Sequence, residues 1–266
     1  MTDFAFPRLG RMTPRAVALI LAAFATLTIG GQDVAAQAPL DAGTVMDRMY
    51  ASPKPKSSII TMTMVISKNG QSLSRTLTTW MTGDNARGES ERTLMKFLSP
   101  ADVKGSGFFT TKRPDGSTES LLWLPALGKV RRLGSGGSDQ DSPFFGSDFT
   151  NRDINGFAEA DFDYAMSGFE GGTYVIVATP RKGLGYEKLV YWIDSSSWKY
   201  TKIEYWRSGK LVKSQAVAYT AVGAYLMPSK IVMTSSSGSS TSLTFTDYKL
   251  DQVLGDQIFT ERYLKQ

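Results

Sequence analysis

Few residues in this chain have the means to do chemistry, and the first group is a run of carboxylates. Asp139, Asp141, Asp148 and Asp153 sit in DQDSPFFGSDFTNRD. A calcium loop would need alternating oxygen ligands and a terminal bidentate Glu, and this segment has neither. It reads as a solvated loop leading into a helix cap, with Ser147 or Asp148 as the cap. The pairs Asp161/Asp163 and Glu89/Glu91 stand at i, i+2, which places each pair on one face of a strand. Glycoside hydrolysis needs two carboxylates facing each other across a cleft. Glycine-rich stretches at 105–107 and 134–137 are not followed by strong helices, so they do not read as phosphate cradles. The 266 residues include no His and no Cys. That removes the usual general base, the commonest zinc ligand and every Ser–His or Cys–His pair. The expectation is no catalytic residue, no metal site and no cofactor. A hydrolytic enzyme built from carboxylates alone is the weakest of the readings.

What remains is suited to binding. Arg131 and Arg132 lie on a short strand after an apolar one, so one of them must point inward. Arg132 is taken as the inward one, able to meet a lipid headgroup or carboxylate, or to hold a flap by hydrogen bonds. A surface salt bridge is the plainer alternative. Met62, Met64 and Ile66 form a soft apolar stripe with Ile60. Met95, Phe97, Phe108, Leu122 and Leu124 continue it, and Phe144, Phe145 and Phe149 form an aromatic hook after a Gly/Ser/Asp tract. Such residues are either plain core or the wall of a ligand cavity, and Met adapts well to irregular partners. Burying an acyl chain of about 16 carbons, at roughly 0.8 kcal/mol per methylene, gains on the order of 10 kcal/mol gross. That suffices to carry a lipid through water without catalysis.

The elements that would position these residues are mostly strands. Residues 1–36 read as a cleavable signal peptide and 37–266 as one domain. Arg8, Arg11 and Arg15 precede an apolar run at 16–29, and Val34-Ala35-Ala36 offers a cleavage site. An uncleaved anchor is the alternative. Losing this segment removes three Arg and two Asp, leaving a net charge of +4. The charge is dispersed, so nucleic-acid binding is not expected. A short helix at 41–50, capped by Asp41, precedes a change of period to two. Alternating runs then recur to the end, separated by turns such as Asn69-Gly70, Gly83-Asp84-Asn85, Glu170-Gly171-Gly172 and Ser208-Gly209. Strands are expected at 60–66, 73–81, 86–98, 107–111, 119–124 and 129–133. The second half adds 161–167, 173–180, 186–194, 199–207, 211–220, 225–235 and 240–250, with a last helix at 260–265. So many strands in one domain must curl. The predicted fold is mostly β, an incomplete or closed antiparallel barrel with a few short helices covering its open side.

Three ordered blocks resemble a known family. They are LMKFLSPADVKG at 94–105, WLPAL at 123–127 followed by KVRR at 129–132, and FGSDF at 145–149. They are similar to the outer membrane lipoprotein-sorting proteins, the LolA-like family. The resemblance implies an unclosed barrel with helices under it and an apolar cavity for lipid or lipoprotein acyl chains. It implies a periplasmic monomer carrying cargo toward the outer membrane. Its partners would be an inner-membrane exporter of RND or ABC type and an outer-membrane acceptor. The rival expectation is an accessory module that docks to such an exporter without binding lipid.

Overall fold

The computed structural model describes residues 40–83, 88–134 and 137–266. The expected signal peptide lies outside the described residues. Two antiparallel meanders follow one another. The first comprises β1 (Ser57–Lys68), β2 (Gln71–Thr82), β3 (Glu91–Ser99), β4 (Gly107–Lys112), β5 (Thr118–Leu124) and β6 (Lys129–Leu133). The second comprises β7 (Phe162–Glu170), β8 (Thr173–Pro180), β9 (Lys188–Asp194), β10 (Lys199–Arg207), β11 (Lys210–Val222), β12 (Tyr225–Ser235) and β13 (Ser240–Leu250). They join where β1 pairs with β13, with Met64 opposite Leu243. The result is one sheet of 13 strands with the order β6-β5-β4-β3-β2-β1-β13-β12-β11-β10-β9-β8-β7. It is not closed, and β6 and β7 are its edges. The β1–β2 hairpin turns at Asn69 and Gly70, both at positive φ (52° and 74°). That conformation matches the twist of the flanking strands and favours this dipeptide.

The two faces of the sheet are buried by different means. The inner face carries Met62 and Met64 of β1, Leu77 of β2, Phe97 of β3, Ile176 of β8, Leu189 of β9 and Met233 of β12 in one core. Helix α1 (Ala42–Tyr50) adds Val45, Met46 and Met49 to it. Its start is fixed by Asp41, whose carboxylate accepts the Thr44 N–H at 3.0 Å. On the outer face, the C-terminal residues 254–264 pack over β2–β6 through Leu94, Leu121, Phe259 and Leu264. Helix α4 (Glu261–Leu264) closes this segment. The buried Lys96 donates to Leu264 O at 2.7 Å. A Cβ on Gly107 would stand 2.6 Å from Leu264 Cδ1, so a larger residue there would have to displace the Leu264 side chain. Because both sides of β3 are covered, residues 94–97 are all buried. The strand therefore departs from simple alternation, with apolar residues on both faces and Lys96 buried among them.

Some expected elements differ from those observed. The strand expected from Ala86 begins at Glu91, and residues 84–87 lie outside the description. The polar loop expected at 134–142 contains a short helix, α2 (Ser138–Asp141). The next helix, α3 (Asn151–Asn155), is capped by Thr150 and not by Ser147 or Asp148. Thr150 and Asp153 form a reciprocal capping box, while Asp148 is held by hydroxyls of the sheet.

Candidate functional site

Between β6 and β7, the two edges of the sheet, the described residues 137–161 form a strap that lies against the inner face. Aromatic contacts hold it. Phe144 lies 5.3 Å from Phe108, edge to face, and 6.3 Å from Phe97. Phe145 lies 4.2 Å from Phe97 and adopts a positive φ of 48°. That turn sends Phe144 and Phe145 into the core side by side.

Polar groups of the sheet bind the strap as well. Arg75 of β2 donates through Nη1 to Phe145 O. Ser239 Oγ and Thr241 Oγ1 donate to the Asp148 carboxylate, the latter at 2.7 Å. Lys213 of β11 forms an ion pair with Asp153, the two side chains being 8% and 0% exposed. Tyr186 O–H donates to the other Asp153 oxygen at 3.1 Å. Lys213 also stands over the rings of Tyr186 and Tyr205, at 5.3 and 5.1 Å. Burial pulls its ammonium below the usual lysine range, and Asp153 opposes that pull.

Most of the sequence-predicted wall is brought together here. Met62, Met64, Ile66, Met95, Phe97, Phe108, Phe144 and Phe149 are buried in one core, with Leu122 and Phe145 packed against it. Leu122, Leu124 and Phe145 line a recess of about 200 Å³ beside the strap, with Arg131 and Asp139 at its edge. Arg132 is a correction. Its partner across the β5–β6 pairing is Leu121, which faces outward, whereas Arg131 pairs with the inner Leu122. The Arg132 side chain is 67% exposed and forms an ion pair with Glu119. It is the plainer of the two alternatives, a surface salt bridge.

A larger cavity, about 390 Å³, opens at one mouth of the inner face, away from the Met/Phe wall. The end of α1 supplies Met49 and Tyr50 and the turn after it Ser52 to Lys56. Met81 comes from β2, Tyr200 and Tyr219 from β10 and β11, and Leu226 and Met227 from β12. None of the twelve sequence-predicted residues lines it. Its walls come from seven elements spread along the sequence, and no local pattern marks them. The one available signal is strand parity: Tyr200 and Tyr219 sit at inner-face positions of β10 and β11. Lys54, Lys56, Lys199 and Glu91 bring charge to its rim. Tyr219 O–H donates to Tyr200 O at 3.0 Å, tying β11 to β10 beneath it.

The fold has counterparts in solved structures. A domain from Vibrio parahaemolyticus, described as an outer membrane lipoprotein-sorting protein, superposes with a TM-score of 0.77 at 26% identity. The match covers 85% of this chain and 98% of that one. A DUF1329 family protein from Desulfovibrio piger gives 0.78 at 24% identity over 84% and 97%. A LolA superfamily protein from Nitrosomonas europaea gives 0.65 at 19% identity over 85% and 100%. A family model described as "Uncharacterized protein" matches residues 89–266. The chain belongs to the family of this model, and its fold is LolA-like. No curated protein matches it significantly. The resemblance in residues 94–149 is thus accompanied by the LolA-like fold, an open sheet with a few short helices.

Proposed function

We propose that this LolA-like protein is a periplasmic carrier that shelters a lipid or lipoprotein acyl chain on its way toward the outer membrane. The observation that carries the reading is the mouth cavity, whose volume falls in the range of small-molecule sites, about 300–1,000 Å³. Its apolar wall residues are Met, Leu, Pro and Tyr, which receive an alkyl chain without directed chemistry. The Vibrio relative, described as a lipoprotein-sorting protein, supports the same class of cargo. Entry begins at the mouth. Met62, Met64, Ile66, Met95, Phe97, Phe108, Leu122 and Leu124 form the chamber that a longer chain reaches when Phe144, Phe145 and Phe149 lift away with the strap.

Native mass spectrometry of the protein purified from its own periplasm, followed by lipid extraction, tests this. A stoichiometric co-purifying lipid is the expected result. A mass equal to the bare chain, unchanged after incubation with lipid vesicles, would overturn the reading in favour of a docking module.

A further inference from the structure

The mouth cavity is apolar within and unevenly charged at its rim. Among the described residues that line it, Lys54, Lys56 and Lys199 stand there with one carboxylate, Glu91. Lys54 and Glu91 pair at 3.4 Å. Lys199 is different: its Nζ lies 2.8 Å from Ser52 Oγ, and no ion pair joins it to a carboxylate among the described residues. It is half buried, between the end of α1 and the start of β10, and its aliphatic stem adjoins the cavity wall. Burial first, and then Lys54, hold its ammonium below the ordinary lysine range. A partly desolvated cation beside further lysines repels another positive group and gains from an anion. A hydroxyl satisfies one of its three donors, and two remain for a ligand.

We infer that the mouth cavity takes a single-chain amphiphile with an anionic head, a carboxylate or a phosphate, and that Lys199 binds that head while Met49, Met81, Leu226 and Met227 take the chain. This rests on the carrier reading and deepens it. The volume fits one chain better than several. The geometry also orients the ligand: the head stays at the rim near Ser52 and Lys199, and the chain points toward the inner face.

The test is calorimetric titration of the exported protein with three probes below their micelle concentrations. They are palmitate, 1-palmitoyl-lysophosphatidylglycerol and the uncharged 1-monopalmitoylglycerol. At least one anionic probe is expected to bind 10-fold or more tighter than the uncharged one, about 1.4 kcal/mol. Lys199→Met is expected to abolish that preference while leaving monopalmitoylglycerol within twofold, and Lys199→Arg to keep it. Preference for palmitate alone assigns the head to a free carboxylate, and preference for the lysophospholipid alone to a phosphate headgroup. Equal binding of all three probes, unchanged by Lys199→Met, overturns the inference and leaves the carrier reading intact. Binding of none overturns both.

Discussion

The Lys213–Asp153 pair is the strongest polar tie between strap and sheet, and its worth can be worked out from its surroundings. Removing one partner of a buried ion pair costs about 3–5 kcal/mol, because the other charge is left buried and uncompensated. The two partners are not left equally exposed to that penalty. In Lys213→Met, Asp153 still accepts from Thr150 N at 2.6 Å, Thr150 Oγ1 at 2.8 Å and Tyr186 O–H at 3.1 Å. Three donors remain, so the cost is expected at the low end, about 3 kcal/mol. In Asp153→Ala, Lys213 keeps only Asp148 O at 3.4 Å and two ring faces. The capping box of α3 is lost too, at about 1 kcal/mol. The expected cost is therefore at the high end, about 5 kcal/mol or somewhat more. The double variant should cost at least 2 kcal/mol less than the sum of the singles. Equilibrium urea denaturation, followed by tryptophan fluorescence and far-ultraviolet circular dichroism, measures all four corners. The pH dependence has a definite sign. With Asp153 gone, the main opposition to burial is lost, and the folded pKa of Lys213 falls further below the unfolded value. The unfolded state then binds more protons, so stability rises with pH and the deficit of Asp153→Ala should narrow between pH 7 and 10. Additive single variants, or Lys213→Met costing more than Asp153→Ala, would refute the reasoning.

Phe144 is fully buried between Phe97 and Phe108, and Phe144→Ala is expected to cost about 3–5 kcal/mol in the same denaturation experiment. A cost below about 1 kcal/mol would mean the strap does not rest in the core. Burial and the neighbouring Asp47 push the Glu159 carboxyl up to about 7. A raised folded pKa means its stability contribution is complete below the unfolded value near 4.3 and lost as pH rises through 7. Glu159→Gln should thus stabilise the protein at pH 8 and not at pH 4, by under about 1 kcal/mol because the group is largely solvent-screened. Gly107→Ala should drive Leu264 from its seat at about 1–3 kcal/mol, read as faster amide exchange in residues 259–264.

Where alternation and turn chemistry were both strong, the sequence alone located the elements. The expected strands at 173–180, 199–207, 225–235 and 240–250 are the observed β8, β10, β12 and β13. Each is bounded by Gly- or Ser-rich turns and keeps one apolar face. Arg131 and Arg132 show where that legibility ends. The parity of β6 depends on which side of β5 is inner, and β5 has an apolar residue on each side, Leu121 outward and Leu122 inward. Leu121 is apolar because residues 254–264 cover it, a contact spanning more than half the chain. The twelve expected wall residues were legible as a set because ten of them are core or pack against it. The mouth cavity was not, since its walls meet only after β1 and β13 have paired.

That pairing also sets an order of events. β1 is among the first elements to leave the ribosome, and β13 is almost the last. Until Ser240–Leu250 arrives, the long edge of β1 presents unpaired N–H and C=O groups beside Ile60, Met62, Met64 and Ile66. An edge of that kind recruits wrong partners. Both meanders can form locally, but zipping them together closes nearly the whole length of the chain and is expected to be the slow step. A product ending before Ser240 would keep every hairpin of the first meander and still have nothing to cover β1. The aggregation hazard of this protein is therefore written into its reading direction: its first strand waits for its last.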